Sequence, residues 1–151
     1  MKYLLLAIGF LAIYNVVRCE ITVKDCGSKV GKINKVNVSN CAKSPCNLQQ
    51  GKKYTVNVTF TINEASDKAF AKVYGIVDSV AVPFPLNQPN ACIASGLKCP
   101  LKMGNTYTYT STLSVLKEYP AIKVVVQWEL FDAKENGNMI FCFETPIQVV
   151  G

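Results

Sequence analysis

The chain has 151 residues, of which 16 are Lys or Arg, 10 are Asp or Glu and none is histidine. That length suits one domain, and a formal charge of +6 is a mild excess. Without histidine, a Ser or Cys nucleophile lacks its usual base and zinc a common ligand, which argues against triad catalysis and zinc binding.

The chain opens with Lys2 and an apolar run from Leu4 to Val17, broken only by Asn15. Val17 and Cys19 stand at positions −3 and −1 of a cut before Glu20. Residues 1–19 therefore read as a secretory signal peptide, removed from the mature protein. A membrane anchor needs about 20 apolar residues, and this run is shorter. Its removal takes Lys2 and Arg18, leaving 14 lysines, no arginine and all 10 acids. Scattered lysines without arginine serve solubility and lack the clustered Lys and Arg of a nucleic-acid surface.

Seven cysteines are encoded, and loss of Cys19 leaves six in an oxidising compartment. Six allow 15 pairings. Short spacing favours Cys41–Cys46 and Cys92–Cys99 as local clips, with Cys26 and Cys142 then left to tie the two ends together. The sequons Asn37-Val38-Ser39 and Asn57-Val58-Thr59 are expected glycan sites on the surface.

In the mature part the dominant signal is period two. A weaker strand is expected over Ile33–Ser39. In Tyr54–Asn63, the residues Tyr54, Val56, Val58, Phe60 and Ile62 alternate with Thr55, Asn57, Thr59, Thr61 and Asn63, the pattern of a strand with one buried face. A further weak strand is expected over Ala71–Val80. The next stretch, VAVPFPLNQPNAC from Val80 to Cys92, is too apolar for an ordinary loop and too rich in proline for a central strand. Tyr107, Tyr109, Leu113 and Val115 then share a face, as do Ile122, Val124, Val126, Trp128 and Leu130. Phe141, Phe143, Ile147 and Val149 form the last row.

The breaks fall at Ser44-Pro45, Gln50-Gly51, Glu64 to Lys68, Met103 to Asn105 and Ala133 to Asn138. Helical periodicity is absent beyond the first nineteen residues. This is an all-β pattern, an antiparallel sandwich in one domain over 20–151. Its inner rows are large and aromatic, which suits either a filled core or a cavity between the sheets.

Chemistry-bearing motifs are missing. There is no G-x-S-x-G, and GSKVGK at Gly27–Lys32 lacks the spacing and following helix of a phosphate loop. The carboxylates lie mostly in turns, and Glu129 and Glu144 have outward parity, so solvated acids are expected. Neither an enzyme nor a cofactor nor a bound metal is implied.

Several fragments, in order, resemble the ML-domain lipid-recognition family, above all its Niemann-Pick type C protein 2 branch. They are KDCGS at Lys24–Ser28, VNVS at Val36–Ser39 with Cys41, VNVTF at Val56–Phe60 and VPFP at Val82–Pro85. Then come Cys92 and Cys99 with Pro100, TYTY at Thr106–Tyr109, EYPAIKVVVQWEL at Glu118–Leu130 and FCFETPIQVV at Phe141–Val150. Together they span nearly the whole mature chain.

The resemblance implies an immunoglobulin-like β-sandwich of two antiparallel sheets enclosing a hydrophobic cavity. It implies disulfides Cys26–Cys142, Cys41–Cys46 and Cys92–Cys99. Members are carriers of sterols, fatty acids or other small apolar molecules, secreted or held in the lysosomal lumen, where vertebrate members pass cholesterol to a membrane transporter. Group 2 mite allergens are among the arthropod members.

Carried over residue by residue, the cavity is Tyr54, Val56, Val82, Phe84, Val115, Tyr119, Pro120, Ile122, Val124, Val126, Trp128 and Phe143. The VPFP segment lies at its mouth, with Phe84 and Tyr119 as a gate; proline fixes φ, so an apolar rim holds its shape without ladder bonds. Transient contact with a membrane or receptor is expected there, for a monomeric protein.

Four positions depart from the sterol-binding pattern. Phe143 stands where tryptophan is common, Thr145 replaces an aliphatic residue, Ser114 replaces a proline, and Asp78 precedes the rim. They tilt the expectation toward an extracellular fatty-acid or semiochemical carrier, with Asp78, Tyr107 or Tyr109 as head-group anchors, and Lys123 beside them although its outward parity suits a solvated residue. Two other readings stand beside it: a lipid-presenting module that docks a receptor, and a filled sandwich that takes up no ligand.

Overall fold

The computed structural model describes residues 21–151, and the signal-peptide reading of residues 1–19 lies outside them. Nine strands follow in chain order: β1 (Lys24–Asp25), β2 (Gly31–Val38), β3 (Cys46–Gln49), β4 (Lys53–Ile62), β5 (Phe70–Val77), β6 (Val80–Phe84), β7 (Thr106–Ser114), β8 (Lys123–Phe131) and β9 (Met139–Val150). No α-helix occurs among the described residues. One sheet runs β1-β9-β8-β5-β6, and the other is β2-β4-β7. The two pack face to face as an immunoglobulin-like sandwich around one buried cluster.

Alternation explains most of the elements. In β4, Tyr54, Val56, Val58, Phe60 and Ile62 are all buried, while the residues between them are half-buried or exposed. On the outer face, Thr59 meets Thr108 at 3.2 Å and Thr61 meets Thr106 at 2.8 Å, so hydroxyl pairs join β4 to β7. β2 reaches from Gly31 to Val38 and carries a bulge between Ile33 and Lys35.

Short strands escaped the period-two reading. β1 has two residues. β3 has four and runs parallel to β9, where every other pairing between strands is antiparallel. It can do so because β9 is twelve residues long. β1 pairs with its first half and β3 with its second.

The strand expected over Ala71–Val80 is cut. Asp78 and Ser79 take left-handed φ values of 47° and 66° and turn the chain into β6. That two-residue turn matches the twist of a tight hairpin. β6 is the edge of its sheet, so the missing N–H of Pro83 leaves no central ladder broken.

One expectation about charge fails. Glu129 has outward parity but is only 8 % exposed, and it accepts a 2.6 Å hydrogen bond from Gln127 Nε2. It stands between Lys72 on β5 and Cys142 on β9 in the strand register, a setting that parity alone does not register. Glu144 is half-buried rather than solvated.

Three disulfides close the fold. Cys41–Cys46 and Cys92–Cys99 span 5 and 7 residues, and Cys26–Cys142 spans 116. The long bridge fastens the segment after β1 to the first half of β9. Cross-links of long separation restrict the unfolded chain most, by about 4–5 kcal/mol in the entropic account.

Candidate functional site: a cavity between the sheets

Strand register sorts the inner face of the larger sheet into rows running from β5 through β8 to β9. They are Ala71–Leu130–Phe141, Val73–Trp128–Phe143, Gly75–Val126–Thr145 and then Val124–Ile147, with Val77 next along β5. On the facing sheet the rows are Ile33–Phe60–Tyr107, Val36–Val58–Tyr109, Val38–Val56–Ser111 and Tyr54–Leu113.

The first rows of both sheets are dense with rings. Phe60 and Phe141 lie 5.2 Å apart, and Tyr109 meets Trp128 edge-on at 6.1 Å. Trp128 and Phe143 are stacked nearly parallel at 6.4 Å. This end is closed. Where the rows turn to aliphatic and small residues the sheets enclose a cavity of about 430 Å³. That falls in the usual range of small-ligand sites, about 300–1,000 Å³.

Of the twelve residues expected in the cavity, Val82, Phe84, Val115, Tyr119, Pro120, Ile122, Val124 and Val126 line it. Val56, Trp128 and Phe143 instead border a separate void of about 20 Å³, deeper between the sheets. Val126 reaches both, as do Leu113 and Ile147. Tyr54 lines neither. Its hydroxyl accepts a 2.8 Å hydrogen bond from the Gln49 N–H, which holds the ring in the core.

Wall residues the sequence reading left out include Val73, Gly75, Val77, Leu113, Ile147 and Val149. Leu113, Ile147 and Val149 belonged to recognised inward rows; what was missing was which part of each row stays unfilled. The β5 residues share the parity of buried Ala71, a signal present but weakened by Gly75.

The mouth is built from two connections. Phe84 ends β6, and Tyr119 lies between β7 and β8. Their rings meet edge-on with centroids 5.9 Å apart. The Tyr119 carbonyl accepts a hydrogen bond from Gln50 Nε2, which fixes the backbone behind the ring. Burial, and then the charge of Glu118, pushes the Tyr119 hydroxyl up from its ordinary pKa, so it is neutral at physiological pH. Beside the mouth, Val80, Val82 and Leu116 are large apolar side chains left exposed.

The expected polar anchors stand outside the cavity wall. Asp78 is a turn residue, and with Lys123 it borders a shallow groove on the outer face of the sheet. The Tyr107 hydroxyl accepts a 2.8 Å hydrogen bond from the Lys102 N–H. Tyr109 is buried in the ring cluster, and burial raises its pKa, with Ser111 and Trp128 pulling part of the way back. Neither the Tyr109 hydroxyl nor the Trp128 indole N–H has an aligned hydrogen-bond partner. Hydrophobic contact is thus what the cavity offers a ligand.

An ML-domain profile matches residues 20–149. The chain belongs to the ML-domain family. NPC intracellular cholesterol transporter 2 of Bos taurus is 47 % identical over 150 residues, covering 99 % of both chains. The Mus musculus protein of the same name is 44 % identical with the same coverage. A crystal structure of a Niemann-Pick type C2 protein from the Japanese carpenter ant superposes with a TM-score of 0.79 at 32 % identity, covering 85 % of this chain and 99 % of that one. Membership makes this ML domain a lipid-binding fold rather than an enzyme.

Proposed function

We propose that the protein is a secreted carrier that takes one small lipid, a sterol, fatty acid or semiochemical-like molecule, into the interior cavity and moves it through extracellular fluid. The observation that carries this reading is the apolar cavity of about 430 Å³ opening beside an exposed apolar rim. Binding is burial without bond-making. Removing about 300 Å² of ligand apolar surface from water is worth roughly 7 kcal/mol before association costs. That magnitude suits reversible carriage. Phe84 and Tyr119 swing aside to admit the ligand, and Val80, Val82 and Leu116 touch the donor or acceptor surface.

A second reading is transfer of a sterol to a membrane acceptor in the lysosomal lumen. The names of the 44–47 % identical relatives favour it. So does the placement of the four departures. Asp78 sits in the hairpin turn, and Ser114 pairs with Lys53 on β4; neither lines the cavity. Phe143 and Thr145 border only the small void. The objection to a sterol is weaker than the sequence made it.

Glycans on Asn37 and Asn57 fit either reading. The two residues face each other across β2 and β4, on the side of the smaller sheet turned away from the cavity. A sugar there leaves the mouth open.

Protein purified from its own source and analysed by native and denaturing mass spectrometry tests the carrier reading. One stoichiometric lipid is expected. An empty protein that also refuses a panel of fluorescent lipids sinks it.

A further inference from the structure

Glycine is a poor choice inside a strand, because it loses the most freedom on folding and packs nothing. Gly75 nevertheless sits in the middle of β5, with a backbone that does not require glycine. It pairs with Val126 on one side and Val82 on the other, both of which line the cavity. A Cβ placed on it meets one neighbour within 4 Å, Val124 Cγ1 at 3.3 Å. The space a side chain would occupy is therefore cavity.

The row Gly75–Val126–Thr145 sets two of its small residues beside Val126. One row away, at Val73–Trp128–Phe143, the space narrows to a void of about 20 Å³ beside Trp128 and Phe143. The cavity begins where the large side chains of the inner face give way to glycine.

We propose that Gly75 sets the width of the cavity and thereby admits a rigid, flat, fused-ring lipid, which needs more room than a single acyl chain. This rests on the carrier reading and deepens it. An acyl chain has a small cross-section and can bend around an obstacle by rotating about its bonds. A fused-ring skeleton can do neither. Filling the position of Gly75 therefore excludes the ring system and leaves a path for the chain. The gap at Gly75 is room that a single chain does not need.

The test uses the full secreted chain and two fluorescent probes, dehydroergosterol and cis-parinaric acid. In Gly75→Val, sterol affinity is expected to fall by about tenfold or more, the usual effect of misfitting a methylene-sized group in an apolar pocket. Fatty-acid affinity is expected to change little. Thermal stability should fall only modestly, since valine suits a strand while Val124 has to give way by a few tenths of an ångström. Adding Val124→Ala returns space beside the new side chain and should recover part of the sterol affinity. Gly75→Ala gives the smaller step of the same series should Gly75→Val fold poorly. Sterol and fatty-acid affinities that fall together, or that both persist in a folded variant, overturn the assignment of Gly75 and leave the carrier reading standing. Wild-type protein that binds neither probe overturns both.

Discussion

The two ends of the sandwich share strands and pleat, yet they solve different problems. At the closed end, Phe60, Tyr109, Trp128, Phe141 and Phe143 fill the space between the sheets and are almost wholly buried. At the open end, Val77, Val124, Val126 and Ile147 line a cavity that remains between the same two sheets. The same β8 supplies Trp128 to one and Val124 to the other. Side-chain size along a strand, rather than a change of backbone, therefore turns core into site. The closed end supplies stability that lets the open end stay underfilled, since unfilled apolar volume forfeits dispersion contacts.

That contrast yields predictions of decreasing size. Phe141→Ala strikes the closed end and should lower unfolding free energy by about 3–5 kcal/mol, the usual cost of removing a buried ring. Urea denaturation measures it. A loss below about 1 kcal/mol would mean that the ring cluster is not the main source of stability.

Val126→Trp strikes the open end in the reverse way. It fills the volume where the cavity and the small void adjoin, and lipid affinity should drop by at least about tenfold. The fold should persist, because overpacking next to an empty cavity has room to relax. Probe titration beside a thermal melt reads both quantities, and unchanged affinity in a folded variant would place the ligand elsewhere.

Tyr109→Phe tests one of the two polar anomalies of the closed end, the other being the Trp128 indole N–H. An unpartnered buried hydroxyl costs about 1–3 kcal/mol, so the variant should be as stable as the parent or more so. Burial raises the folded pKa above the ordinary value of 10.0, so the unfolded state loses this proton first as pH climbs. The parent should therefore lose stability above about pH 10, and Tyr109→Phe should lose less. Parallel denaturation curves at neutral and alkaline pH decide this. Equal alkaline losses would remove Tyr109 from the account.

Phe84→Ala touches only the mouth. The edge-on contact with Tyr119 is worth about 0.5–1.5 kcal/mol, so stability should move little while ligand exchange with vesicles quickens. Stopped-flow transfer of a fluorescent lipid measures the rate. Exchange at the parental rate would show that the ring pair is not the gate.

Much of this was legible in the residues. Alternation in Tyr54–Ile62 marked β4 and its buried face, because a pleated strand sends neighbouring side chains to opposite sides. Cysteine spacing favoured the bridges that form. The rim at Val82–Pro85 stood out because apolar residues and prolines together suit an edge and little else. The illegible parts are those in which distant residues decide. β3 is four residues long, too short for a periodic signal, and exists because β9 offers it an edge. Glu129 has an exposed residue's parity and a buried residue's environment, since parity reports a face and not what covers it.

The sequence by itself determined the fold class, the bridges' spacing and the two inner faces, since period two and local turns are properties of neighbouring residues. Only the tertiary structure decided where those faces part. Whether Tyr54 becomes core, Trp128 closes the aromatic end and Gly75 opens a wall depends on which rows meet across the sandwich. A missing side chain becomes volume for a ligand only when nothing from the opposite sheet fills it.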